Sequence, residues 1–226
     1  MYKRQGEWDW ITRHAVGGYD HLLIGTSLPL IMAPALHYLE AWNEAICDGA
    51  WGRPGSWAGE KIRQGADLEH WPAFRDSFEA MCGLLRDVGS GARGEAPSSI
   101  VVLSGDVHHA YLAEVAFQRG SGVQSAVWQA TCSPFRNPLN RHERRGVQFG
   151  FTRTGAMMAR ALAAAAGVPR PPVRWRFQDG DPRFDNQAGT LLLDGRRATA
   201  RLERSMPSEK GVDHPVLEIS DEHALA

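Results

Sequence analysis

Apolar positions recur at helical spacing from the first residues onward. Trp8, Ile11 and Ala15 share one face, and Gly17-Gly18 ends the pattern. Leu22-Leu23-Ile24 reads as a short buried strand running into Gly25-Thr26-Ser27. Pro34 suits the first turn of a second helix carrying Leu36, Leu39, Ala41 and Ile46. Residues 48–59, punctuated by five glycines and prolines, read as a loop with Trp51 and Trp57 as hydrophobic pins. The clearest helix follows: Trp71, Phe74, Phe78, Met81, Leu85 and Val88 form one stripe, with Arg75, Asp76 and Glu79 facing elsewhere.

Gly89 to Ser98 reads as a flexible connection. Ile100-Val101-Val102-Leu103 is a continuous apolar run of the kind buried on both faces of a sheet. Further strands are expected over Tyr111 to Phe117 and Gln124 to Ala130. An irregular stretch, Cys132 to Pro138, precedes a basic segment and an alanine-rich helix ending at Ala166. Gly167 is its expected cap, and Pro169, Pro171 and Pro172 bar its continuation. Thr190 to Leu193 and Arg196 to Glu203 flank Asp194-Gly195, a strong hairpin signal. The expected organisation is one unit over residues 1–204, closing with a β-hairpin at about 189–204. A tail with a short strand then covers 205–226.

Composition narrows the function classes. With 43% hydrophobic and 23% charged residues, the 226-residue chain is neither disordered, collagenous nor a coiled coil. Its 25 basic and 26 acidic residues give a formal net charge of −1, so no bulk positive field holds a nucleic acid. Three cysteines argue against a disulfide framework. The N-terminus lacks the apolar core of a signal peptide. The longest apolar run, Leu22 to Leu36, is interrupted by Pro29 and Pro34 and is shorter than the ~20 residues that cross a bilayer. A cytoplasmic location without membrane contact is expected.

The candidate chemistry lies after the central strand, in Ser104-Gly105-Asp106-Val107-His108-His109. A carboxylate and an imidazole two residues apart, following a glycine turn at a strand's carboxyl end, can reach two points a few ångströms apart. Paired metal ions roughly 3.5–4 Å apart need that reach. Spacing alone leaves the alternative open, with Asp106 capping a turn and the histidines being surface or core residues. Elsewhere the blander readings are preferred. His37 and Glu40, a turn apart, are read as the polar side of an amphipathic helix rather than a ligand pair. His70 is read as a cap or packing residue, and Cys132 as a small buried thiol rather than a nucleophile. Asp9 and Asp20 are ordinary helix and turn residues. Arg141, His142, Glu143, Arg144 and Arg145 form a solvated helix face, and Ala163 to Ala166 belong to a packed or exposed helix.

The Gly105-Asp106-Val107-His108 segment after a valine-rich strand resembles the last metal-binding motif of PhoD-like (alkaline phosphatase D) metallophosphoesterases. The likeness continues along the chain in order. Tyr19 to Pro29 resembles the strand and loop before the family's variable insertion. Leu68 to Phe74 resembles the start of the helix before the metal strand, and Trp128 to Pro134 the strand after it. Asn186 to Leu193 resembles the closing β segment.

The resemblance implies an α/β (α+β) fold, a metallophosphoesterase-like β-sandwich flanked by helices and lacking the N-terminal half. It implies Asp106 and His108 as metal ligands, with His109 beside them in a catalytic or phosphate-contacting role. The implied cofactor is a dinuclear metal centre, Ca²⁺ with Fe³⁺ or Mn²⁺/Zn²⁺, and the implied reaction is hydrolysis of a phosphate mono- or diester by metal-activated water. The family's upstream ligand motifs have no counterpart here, and the chain begins in helical sequence. Incomplete activity is therefore expected, with self-association or pairing with a missing N-terminal half. The alternative is a non-catalytic binding or assembly module.

Overall fold

The Ile100 to Leu103 run forms the middle of the fold. A computed structural model describes residues 2–66, 68–133, 139–178, 180, 182–209 and 211–226. The elements in chain order are α1 (Tyr2–His14), β1 (His21–Gly25), α2 (Pro34–Cys47), α3 (Gly52–Ala66), a 3-10 turn (Trp71–Ala73) and α4 (Arg75–Gly89). Next come β2 (Ser99–Ser104), β3 (Tyr111–Phe117), β4 (Ala126–Thr131), α5 (Arg141–Phe151), α6 (Arg153–Ala165) and β5 (Val173–Phe177). Finally come β6 (Gln187–Asp194), β7 (Arg197–Ser208) and β8 (Gly211–Ala224). The chain is mixed α/β, with a five-stranded sheet in the order β1-β2-β4-β3-β5 and a three-stranded sheet in the order β6-β7-β8.

Strand β2 lies between β1 and β4 and runs parallel to both, with Ile100 opposite Leu22 and Val127. Its side chains alternate between two cores, as the period-two geometry of a strand requires. Ile100 and Val102 pack with Phe78, Met81, Leu85 and Val88 of α4 and with Leu30 and Ile31. Val101 faces the other way, onto Leu112 and Trp128 of its own sheet and Ala198, Ala200 and Leu202 of the second. The layers are therefore helix α4, the five-stranded sheet and the three-stranded sheet. Beside them, α2 packs against α3, α5 and α6.

Several elements differ from the sequence expectation, each for a local reason. The Leu22 to Ile24 strand forms, but β1 is an edge strand and Leu23 is 42% exposed. Residues 52–59 are the first turns of α3 rather than loop, and Trp57 lies exposed on it; Trp51, just before the helix, acts as a pin, packing edge-on against Trp42 at 5.6 Å and donating its indole N–H to the Ala165 carbonyl at 3.4 Å. The stripe from Trp71 breaks at Phe74, where the backbone leaves the helical region before α4 begins, so Phe74 is exposed while Phe78, Met81, Leu85 and Val88 are buried.

Residues 89–98 are pinned rather than loose. The Gly17 and Gly18 amides donate to the Arg93 and Glu95 carbonyls, and the Arg93 guanidinium reaches the Ala15 and Thr12 carbonyls. The alanine-rich segment is two helices. Thr152 interrupts it and caps α6 by accepting from the Gly155 amide at 3.0 Å. The predicted stop holds: Gly167 adopts φ 78°, letting the Gly167 and Val168 amides close back on the Ala164 and Ala163 carbonyls. The tail holds far more than a short strand, since β8 pairs along β7 from Gly211 to Ala224. The irregular stretch after Cys132 lies outside the described residues at positions 134–138.

Candidate functional site

Because β1, β2 and β4 are parallel, their carboxyl ends fall together, and the loops leaving them are stitched by backbone hydrogen bonds. The Thr26 amide donates to the Leu103 carbonyl at 2.9 Å and the Gly105 amide to the Ser27 carbonyl at 3.2 Å. The Cys132 amide donates to the Ser104 carbonyl at 3.0 Å. Beneath them Gln129, 1% exposed, accepts from the Leu30 amide at 3.0 Å and donates to the Val102 carbonyl and Ser104 hydroxyl. One buried amide thus ties the loop after β1 to the ends of β2 and β4. Sequence reading missed Gln129. An isolated glutamine within an otherwise apolar strand was the signal available for it.

On this rim the backbone does something unusual. Asp106 and His108 have φ of 57° and 56°, and among the described residues they are the non-glycine residues with positive φ. The left-handed region is unfavourable for residues bearing a Cβ, and such outliers cluster at functional sites. Between them Val107 is 8% exposed and packs into the core beside α4, anchoring the turn. Asp106 is exposed and His108 half-buried. The His108 amide donates to the Ser133 hydroxyl at 3.2 Å, which binds the turn to the end of β4.

His109 lies behind the rim and not on it. Its ring is 3% exposed, with Tyr111, Phe151 and Phe184 at centroid distances of 5.4, 5.9 and 5.9 Å. Its Nδ1 is 2.6 Å from the Val107 carbonyl, which can only accept, so Nδ1 carries the proton; Nε2 is buried without a partner. Burial lowers its pKa to about 4, helped by the nearby charges of His70 and His108, and the ring is neutral at pH 7.

The structure brings a further pair to this end of the sheet. The buried side of α2 is largely polar: His37, Glu40 and Asn43 are 3%, 2% and 1% exposed beside Ala35 and the expected Ile46, while Leu36 and Leu39 are only partly covered. This corrects the amphipathic reading of α2. The helix is surrounded by α3, α5 and α6, so its polar stripe is enclosed rather than solvated. Asn43 is satisfied by the Gly59 carbonyl at 2.9 Å. Glu40 Oε1 meets His70 Nδ1 at 2.6 Å, and Glu40 Oε2 is buried without a partner. Burial raises the Glu40 pKa, and the His70 hydrogen bond and charge oppose that rise. His70 is therefore more than a packing residue. The adjacent Trp71 indole donates to Thr26 Oγ1 at 3.2 Å, fastening this loop to the end of β1.

Among the described residues no three His, Cys, Asp or Glu side chains converge as a metal-binding group. Asp106 and His108 have the right donor chemistry but fall short of a dinuclear centre, which needs on the order of eight ligands, protein and solvent together. Cys132 is half-buried and burial raises its pKa, keeping it a thiol, in line with the structural reading. Within the charged run on α5, Glu143 completes a capping box with Asn140, and Arg144 lies 4.7 Å over the Phe184 ring. Asp20 pairs with Arg196 at 3.6 Å. No helix among the described residues is long and apolar enough to cross a membrane.

Comparisons of the chain with protein-family models, curated proteins and solved structures give no match. The resemblance to PhoD-like enzymes therefore rests on the sequence motifs alone.

Proposed function

We propose that this chain carries part of a metal-dependent phosphoesterase site, with Asp106 and His108 as two of its metal donors. The observation that carries the reading is the pair of left-handed residues at these two positions, on a turn leaving the central parallel strand. Ligands bind outside the carboxyl ends of such strands, and backbone strain on residues of donor type clusters at functional sites. The helix-covered pair of packed sheets supports a metallophosphoesterase-like sandwich.

The described donors do not complete a dinuclear centre, so the remaining ligands come from other polypeptide. The free edge of β1 is the natural place for it: among the described residues that strand pairs with β2 alone, and its end borders the Asp106 turn through the Gly105–Ser27 bond. That no third donor converges among the described residues favours a second reading, a non-catalytic binding or assembly module.

Metal analysis by plasma mass spectrometry tests the proposal on the full chain purified with Mn²⁺, Ca²⁺ or iron. Bound metal should fall in an Asp106→Ala/His108→Ala double variant. Equal metal in variant and wild type would remove the claim. Metal-dependent turnover of bis-p-nitrophenyl phosphate or p-nitrophenyl phosphate separates the two readings, since the non-catalytic module shows none.

A further inference from the structure

Glu40 and His70 are thirty positions apart in sequence, on α2 and on the loop before the 3-10 turn. The fold brings them to 2.6 Å, with the Glu40 side chain 2% and the His70 side chain 18% exposed. A carboxylate so placed does for an imidazole what no surface residue does. It occupies Nδ1 and sets the ring's orientation, leaving Nε2 to face a ligand.

The pair also sits in the right place. Trp71 is hydrogen-bonded to Thr26, whose amide is bonded to the end of β2, one residue before Ser104-Gly105-Asp106. Burying a glutamate with one oxygen unpartnered is unfavourable, whereas Asn43 on the same stripe meets the Gly59 carbonyl through its amide and the Cys47 thiol through Oδ1.

We infer that His70, oriented by Glu40, is a hydrogen-bond donor to an oxygen of a phosphoryl group bound at the carboxyl-end rim, with Glu40 as its positioning residue. The inference rests on the proposed phosphoesterase reading for the identity of the oxyanion. The bound group is a tetrahedral phosphate or the phosphoryl end of an ester. The Nε2–H donates to it, and Glu40 holds the ring from the opposite side at Nδ1.

The test uses the full chain and inorganic phosphate, followed by long-range ¹H–¹⁵N correlation of the histidine rings, with the His70 signals assigned from a His70→Gln variant. In wild type, Nδ1 is hydrogen-bonded, and phosphate shifts Nε2 saturably. Glu40→Gln should weaken that response by about tenfold, the loss expected for a charge-assisted hydrogen bond. A silent His70 ring, or an unchanged phosphate affinity in Glu40→Gln, overturns the inference. Should Glu40→Gln fail to fold, calorimetry on His70→Gln decides, because a phosphate affinity equal to wild type overturns it equally. If metal content depends on Asp106 and His108 while His70 stays silent, this inference alone fails. If His70 responds to phosphate but metal content ignores Asp106 and His108, the phosphoesterase reading fails and the oxyanion contact stands.

Discussion

The left-handed conformation of Asp106, at φ 57°, makes a prediction that separates stability from metal binding. The left-handed region costs an L-residue roughly 1–2 kcal/mol, with aspartate at the favourable end because its short polar side chain bonds locally. Glycine avoids that steric cost but loses about 0.5–1 kcal/mol more backbone entropy on folding. Asp106 is exposed, so removing its side chain opens no cavity. Asp106→Gly and Asp106→Ala both delete the carboxylate and differ chiefly in the backbone term. The glycine variant should be more stable than the alanine variant by about 1 kcal/mol, which for a chain of this size is a Tm difference of about 2–4 °C.

Urea unfolding with matched m-values measures the difference, and metal content is measured on the same preparations. Both variants should lose metal equally, while only the alanine variant loses stability. Equal stability of the two would refute the positive φ. A glycine variant more than about 1 kcal/mol below wild type would show that the carboxylate holds the fold, leaving the strain with a structural explanation.

Two further outcomes follow from the core. Burial lowers the His37 pKa from 6.5 to about 3, with the ring packed against Phe78 and Trp175 at 5.0 and 4.7 Å. Its stabilising contribution is complete above pH 6.5 and is lost as pH falls toward 3, because the unfolded chain takes the proton first. His37→Phe should therefore reduce the loss of stability between pH 7 and 5 by about 2 kcal/mol, read from denaturant midpoints at both pH values; parallel pH profiles would contradict it. At Gly17, an added Cβ would lie 2.7 Å from the Gly94 carbonyl carbon and closer still to the Glu95 oxygen, both backbone atoms. Gly17→Ala should cost about 1–3 kcal/mol, whereas Gly6→Ala, in open space on α1, should be neutral or stabilising. Equal thermal shifts for the two would show that the Gly17–Gly94 approach does not exist.

What could be read without coordinates was whatever depends on short-range pattern. The runs Ile100 to Leu103 and Tyr111 to Phe117, the α4 stripe from Phe78 onward, the Pro34 start and the Gly167 stop all obey local rules that the fold did not override. The motif at Asp106 and His108 was legible as donor chemistry, but its strain was not, because φ belongs to the backbone and Asp-Val-His is compatible with an ordinary turn. Strand burial failed at Leu23 for a topological reason. An apolar triplet reads identically in a central strand and at an edge, and only the sheet order decides which it is.

The α2 helix shows where sequence periodicity reaches its limit, and why the further site was hidden there. Its moment pointed Leu36 and Leu39 inward on the assumption that the helix has one covered face and one wet one. The fold instead surrounds it with α3, α5 and α6, so both faces are occupied and hydropathy no longer sets the direction. In that setting a polar side chain goes where a partner is. Asn43 finds the Gly59 carbonyl and Glu40 finds His70, neither of which lies on the helix. Such pairs join residues distant in sequence, and no window centred on either member contains the other. Glu40 Oε2 and His109 Nε2 are among the buried polar atoms that stay unsatisfied, and these two, near the carboxyl-end rim, are where the physics leaves something over for binding to use.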